Sequence, residues 1–185
     1  MNLVDLHRLT AAVNVAAFEE TGHRANCILA SGALMDVLHA RGVEARCIRA
    51  EVVATPRDGT KHLSRGLGMF GDGSRQPAAA PGMWHGHLVV VAGDVLLDPT
   101  LDNIADAPGY EYLRPFAARL AGELEATRWY DVDPHGVGVE VRRGLGRWPY
   151  SDVRYKLFPC LGGWKSAGMF RRRICARVAA MAVAA

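Results

Sequence analysis

Cysteine is scarce in this sequence, and the cysteines it has are far apart. Cys27, Cys47, Cys160 and Cys175 show neither CxxC spacing nor the density of a disulfide scaffold. The pattern therefore indicates no structural zinc site of the usual cysteine-rich kind. A reduced, cytoplasmic setting fits these cysteines best.

Long apolar runs are also missing. No run reaches the roughly 18 residues that a transmembrane helix needs. The nearest one, ICARVAAMAVAA at 174–185, is Ala-rich and broken by Arg177, so we predict a terminal helix or frayed tail, with a membrane-associated tail as the less favoured option. The N-terminus carries Asp5 and lacks a basic start before an unbroken apolar core, which argues against a signal peptide.

A third absence is any large excess of one charge. Lys and Arg number 22 against 19 Asp and Glu, for a formal net charge of +3. Nothing in this balance requires a nucleic-acid partner. The basic residues that do cluster, at 142–147 and 171–173, are more typical of a solvated face than of a phosphate site.

The chain is nevertheless well supplied with core-forming residues. Its 185 residues are 50% hydrophobic, which predicts a single domain over 1–185. Residues 57–83 are rich in glycine and show little periodicity, so we predict a long loop there, either a lid over a site or only an insertion. The loop contains a GxGxxG at 66–71 without a strand before it or a helix after it, so it does not indicate a dinucleotide site.

Hydrophobic periodicity predicts the order of the elements. We expect a helix over 4–18, a second helix that begins at Cys27 and is stopped by Gly42, and a strand over 45–54. Two strands at 87–91 and 95–97 form a hairpin, and because they are almost wholly apolar they should be buried on both faces. We also predict a broken helix over 101–126 and short strands at 128–132, 137–141 and 153–158.

Cys27 is the candidate nucleophile. The unpaired N–H groups and the dipole at a helix N-terminus stabilise a thiolate. Such a thiolate needs a base and a group that orients the base. A tight turn at Gly93-Asp94 places His87, which opens one strand, opposite Thr100 and diagonal to Asp98, which ends the other strand. Diagonal neighbours of this kind are within reach across a ladder.

These pieces resemble the transglutaminase-like branch of the papain-like cysteine superfamily. The matching parts are Cys27 before an apolar helix, RGVEAR at 41–46 like the family's "lr.lGipaR", His87 before an apolar strand, and LDPT at 97–100 like its "lDPT". They cover about residues 22–102 in the family's order. The resemblance implies an α+β fold with a papain-like core, in which N-terminal helices include a nucleophile helix packed on an antiparallel β-sheet. It also implies a Cys27–His87–Asp98 triad that needs no metal or other cofactor.

Other residues near these motifs are candidates for supporting roles. The backbone N–H of Cys27 is the natural donor to an oxyanion, with Asn26 or Trp84 as helpers. His85 is the alternative to His87 as the base, because residues two apart on a strand face the same way. The same spacing gives a weaker alternative, a metal site made by both histidines with His62 or Asp98.

Each piece also has a purely structural explanation: a core cysteine, a satisfied buried histidine, and a capped strand end. We interpret Cys47 as structural. The joint order of the pieces favours a cysteine-dependent enzyme, either a peptidase or amidase or a transglutaminase-like acyltransferase, acting on a peptide, a protein or a small amide. The alternative is a non-catalytic module that retains the scaffold and uses the glycine-rich loop and basic C-terminus to bind a protein. Substrate identity and oligomeric state stay open.

Overall fold

The computed structural model has an α+β architecture. The structure describes residues 1–22, 27–56, 65–67, 87–105, 113–120, 128–131, 137–143 and 164–183. Within these ranges the elements are, in chain order, α1 Leu3–Thr21, α2 Cys27–Ala40, β1 Arg46–Pro56, β2 Arg65–Leu67, β3 His87–Ala92, β4 Val95–Asp98, a 3-10 turn at Leu101–Ile104, β5 Phe116–Arg119, β6 Arg128–Asp131, β7 Val137–Arg143 and α3 Trp164–Val183.

The seven strands form one sheet in which every pairing is antiparallel. The order is β5-β4-β3-β1-β7-β6, and β2 pairs with β1 off this path. In the β3–β4 hairpin Val90 lies opposite Leu97 and Ala92 opposite Val95, as the turn at Gly93-Asp94 predicts. This register brings the beginning of β3 beside the end of β4.

Helix α2 ends where the sequence indicates, and the ending has a defined geometry. Gly42 has φ 72°, a left-handed conformation that costs little only for glycine. The N–H of Val43 donates to the carbonyl of Leu38 at 2.9 Å, and the N–H of Gly42 donates to that of His39 at 2.9 Å. These two bonds are those of a Schellman motif. They turn the chain sharply from α2 into β1.

The hydrophobic core occupies both faces of the sheet. On one face, side chains from all three helices pack on β3 and β4, with Leu34, Leu38 and Ile174 fully buried among them. On the other face a second cluster includes Val52, Val89 and Leu96. Every residue of β3 and β4 is buried, which confirms the prediction from their uninterrupted apolar sequence.

The prediction for 101–126 is wrong where the structure describes that segment. A 3-10 turn forms at Leu101–Ile104, and Phe116–Arg119 is a strand rather than a helix. The strand forms because β4 has an open edge, on which Phe116 lies opposite Asp98. Pairing with that edge outweighs the helical preference of the two alanines, as tertiary context often does.

Several other predictions fall partly or wholly outside the described residues. Of the loop at 57–83 only Arg65–Leu67 is described, and it pairs with β1. The strand predicted at 153–158 lies outside the described ranges. In the described part of the chain, no helix combines the length and the apolar character needed to cross a membrane.

Candidate active site

Cys27 is the first residue of α2. Its side chain is half-buried, whereas the following residues from Ile28 to Leu34 are buried. The first turn of the helix has no acidic residue, so no carboxylate there opposes a negative charge on sulfur.

His87 and Asp98 form a buried pair beside Cys27. The Nε2 of His87 lies 2.8 Å from Oδ2 of Asp98, and the two residues are 1% and 0% exposed. His87 begins β3 and Asp98 ends β4, so the hairpin register brings the two side chains together. The cross-strand contact predicted from the sequence is therefore confirmed.

The imidazole also contacts the candidate nucleophile. The side chain of Cys27 lies close enough to His87 to help raise the pKa of the imidazole. A thiol, an imidazole and a carboxylate thus follow one another in the order that an activated cysteine requires.

The second oxygen of Asp98 is also engaged. Its Oδ1 accepts a hydrogen bond from the backbone N–H of Thr100 at 2.9 Å and another from Oγ1 of Thr100 at 3.3 Å. Thr100 is itself fully buried. The carboxylate is therefore fixed in one orientation, with Oδ2 directed at the imidazole.

The charges of the pair determine the protonation of His87. Burial alone lowers the pKa of this imidazole, since it disfavours the charged form. The charge and hydrogen bond of Asp98, together with the hydrogen bond and charge of Cys27, outweigh that effect and raise the pKa from 6.5 to about 10. The upward direction follows from the geometry, because a buried carboxylate at 2.8 Å strongly favours an imidazolium.

Two further thiols lie near α2 and behave differently. Burial raises the pKa of Cys47 to about 12, and its Sγ donates to the carbonyl of Ser31 at 3.4 Å. Burial also raises the pKa of Cys175, whose Sγ lies 3.8 Å from the carbonyl of Ala33. Both thiols stay protonated at neutral pH, which agrees with the structural interpretation of Cys47.

The turn after Asp98 is held by α1. The side-chain amide of Asn14 donates to the carbonyl of Pro99 at 2.8 Å and to Oδ1 of Asp102 at 3.0 Å. Sequence analysis did not identify Asn14. The only available signal was a polar residue within an otherwise apolar stretch of α1, which does not indicate its partner.

The structure therefore brings together three of the predicted site residues, Cys27, His87 and Asp98. Asn26, Trp84 and His85 lie outside the described residues, so their predicted supporting roles remain predictions. His62, one residue of the metal alternative, also lies outside them. Among the residues that are described, no group of three or more His, Cys, Asp or Glu side chains is arranged to hold a metal ion.

Comparison of the chain with protein-family models, with curated proteins and with solved structures gave no match. The class that fold and site define is thus an α+β protein with a buried histidine–aspartate pair beside a cysteine at a helix N-terminus.

Proposed function

We propose that this protein is a cysteine-dependent acyl-transfer enzyme that acts through Cys27, His87 and Asp98. The observation that carries the proposal is a thiol beside a buried imidazole, which is itself hydrogen-bonded to a carboxylate that Thr100 fixes. A histidine with a raised pKa beside a cysteine favours a thiolate–imidazolium pair. The proposal also includes the fold, which we assign to the papain-like, transglutaminase-like type.

The reaction follows from the positions of the three groups. The thiolate of Cys27 attacks the carbonyl carbon of an amide, and the backbone N–H groups at the start of α2 stabilise the oxyanion. One such donor is typically worth about 3 kcal/mol. As the C–N bond breaks, the imidazolium of His87 gives its proton to the leaving amine. Asp98 stabilises the imidazolium and holds the ring in position.

The acyl group on sulfur then passes to a second nucleophile. His87, now neutral, takes a proton from water or from an amine as that nucleophile attacks the thioester, and the thiolate of Cys27 leaves. Water as the acceptor gives a peptidase or amidase, and an amine gives a transglutaminase-like acyltransferase. The substrate is a peptide, a protein or a small amide. A reducing compartment such as the cytoplasm suits an enzyme whose nucleophile must remain a free thiol.

Alkylation by iodoacetamide at pH 6 tests the nucleophile. Rates at each cysteine are measured by peptide mass spectrometry in the native chain and in His87→Gln. We expect Cys27 to react at least about tenfold faster than Cys47 and Cys175, because only a thiolate reacts at this pH. H87Q should remove most of the excess alkylation rate at Cys27 and leave the rate at Cys175 unchanged. That result would show that Cys27 reacts fast because His87 activates it, and not because it is more exposed.

A second measurement asks whether the thiolate accepts an acyl group. Incubation with an activated ester should add one acyl mass to the native chain, located at Cys27, and none to Cys27→Ala. If Cys27 of the native chain reacts no faster than Cys47 and forms no acyl adduct, the enzyme proposal is wrong and the non-catalytic binding module becomes the better hypothesis.

A further inference from the structure

Ser31 lies at the contact between the helix that carries Cys27 and the strand that carries His87. It is fully buried and sits four residues after Cys27, so the two residues share one face of α2. Its Oγ donates a hydrogen bond to the backbone carbonyl of Leu88 at 3.0 Å. Leu88 directly follows His87 in β3.

This hydrogen bond is not the one that a serine inside a helix usually makes. Such a hydroxyl commonly donates to the carbonyl four residues earlier in its own helix, which here belongs to Cys27. A hydroxyl has one hydrogen, and Ser31 uses it on β3 instead. A donor–acceptor distance of 3.0 Å to a backbone oxygen also means that α2 lies directly against the strand, with no larger side chain between them at this point.

We infer that Ser31 is a positioning residue that sets the separation between the Cys27 sulfur and the imidazole of His87. This inference rests on the proposed function, since it concerns the geometry of the same site. Both ends of the Ser31–Leu88 bond are close in sequence to the two reacting groups, one helical turn from Cys27 and one residue from His87. A displacement of about 1 Å between reacting groups can cost a factor of about a hundred in rate.

Apolar side chains of α2 also pack on β3, whereas two other polar contacts of the helix run to α3 and β1. Arg171 of α3 binds Asp36 and donates to the carbonyl of Gly32 at 3.2 Å, which holds α2 against α3 rather than against β3. The thiol of Cys47 donates to the carbonyl of Ser31, not to its hydroxyl, so that contact is retained when the hydroxyl is removed. Replacing Ser31 by alanine therefore removes one defined bond between α2 and β3.

The test uses Ser31→Ala with Thr10→Val as the matched control. Thr10 is also fully buried and also loses one hydroxyl bond, but its bond runs within α1 to the carbonyl of Leu6 at 2.7 Å. Two properties are measured in the native chain and in both variants: the alkylation rate of Cys27 by iodoacetamide at pH 6, and the titration midpoint of the His87 ring by NMR. A loss of stability that leaves the chain folded changes neither the alkylation rate of Cys27 nor the titration midpoint of His87.

We expect S31A to slow the alkylation of Cys27 by about tenfold or more. The His87 midpoint should fall by about half a pH unit or more, because the thiol then supports the imidazolium less well. T10V should match the native chain in both measurements. An S31A midpoint equal to that of the native chain, or an equal fall in T10V, overturns the positioning role. If the midpoint falls only in S31A while Cys27 of the native chain is no more reactive than Cys47, the positioning role stands and the proposed enzyme function fails.

Discussion

At the scale of single residues, the carboxylate of Asp98 accepts hydrogen bonds on both of its oxygens. One oxygen faces His87 and the other faces the N–H and the hydroxyl of Thr100. These contacts hold the carboxylate in one orientation beside the imidazole. Its negative charge is the reason that a fully buried imidazole can carry a proton at neutral pH.

The titration of His87 should show this effect directly. In the native chain we expect the ring to stay protonated well above pH 7, because Asp98 holds its pKa far above 6.5. In Asp98→Asn the charge is gone and burial remains, so the midpoint should fall below the ordinary value. NMR of the ring Cε1–H over pH 5–11 measures both midpoints. Equal midpoints in the two proteins would contradict the assignment of Asp98 as the dominant partner.

The same pair makes folding stability depend on pH. The pKa of His87 is raised on folding, from 6.5 to about 10, so the folded chain binds the proton more tightly than the unfolded chain. The stabilisation is therefore complete below about pH 6.5 and is lost as the pH rises towards 10. Denaturant titrations at pH 6 and pH 10 should give a clearly larger free energy of unfolding at pH 6, and this difference should shrink in D98N.

At the scale of elements, the end of α2 determines where β1 begins. The left-handed conformation of Gly42 allows the two Schellman bonds, and no atom of the described residues lies within 4 Å of the position that a Cβ would take. Strain at this position is thus conformational rather than steric. The helix that begins with Cys27, the proposed nucleophile, depends on this turn for its connection to the sheet.

Gly42→Ala should lower the free energy of unfolding by about 1–2 kcal/mol, the usual cost of a left-handed conformation in an L-residue. Gly168→Ala is the matched control. Gly168 lies inside α3, where an added Cβ would meet only the guanidinium of Arg172 at 3.9 Å, so this change should be neutral or stabilising by up to about 1 kcal/mol. Urea denaturation measures both. An equal loss in the two variants would contradict the conformational explanation.

The elements that carry the site were predictable because their signals are local. Gly42 marks the end of α2, and Gly93-Asp94 fixes the register that pairs His87 with Asp98. The strand Phe116–Arg119 was missed because it contains two alanines and no β-branched residue, and it exists only because the edge of β4 is open to it. The roles of Ser31 and Asn14 could not be predicted either, since each depends on a partner more than fifty residues away.

At the scale of the whole molecule, the C-terminal helix α3 forms ion pairs with both N-terminal helices. Arg171 binds Asp36 of α2 through two hydrogen bonds and also reaches the carbonyl of Gly32. Arg177 binds Glu19 and Glu20 of α1. The Arg171 side chain is 16% exposed and that of Arg177 is 43% exposed, so the first contact is better shielded from water.

Arg171→Gln should therefore destabilise the protein more than Arg177→Gln. We expect a loss of about 1–2 kcal/mol for R171Q, since bonds to charged groups contribute more than neutral ones but Asp36 is partly solvated. R177Q should have little effect, because exposed ion pairs add little stability. Thermal and urea denaturation of both variants give the comparison, and a larger loss in R177Q would contradict the assignment of Arg171 as the main link between α3 and α2.

The complete burial of β3 and β4 has a consequence for how such a protein can evolve. Strands with no exposed residue tolerate few substitutions, because their side chains are closely packed on both faces of the sheet. They also open only when most of the fold opens. His87 and Asp98, the proposed base and its orienting residue, thus lie on strands that resist both substitution and local opening, whereas Cys27 is half-buried at the start of a helix. Substitutions in descendants of this protein should therefore accumulate outside these two strands.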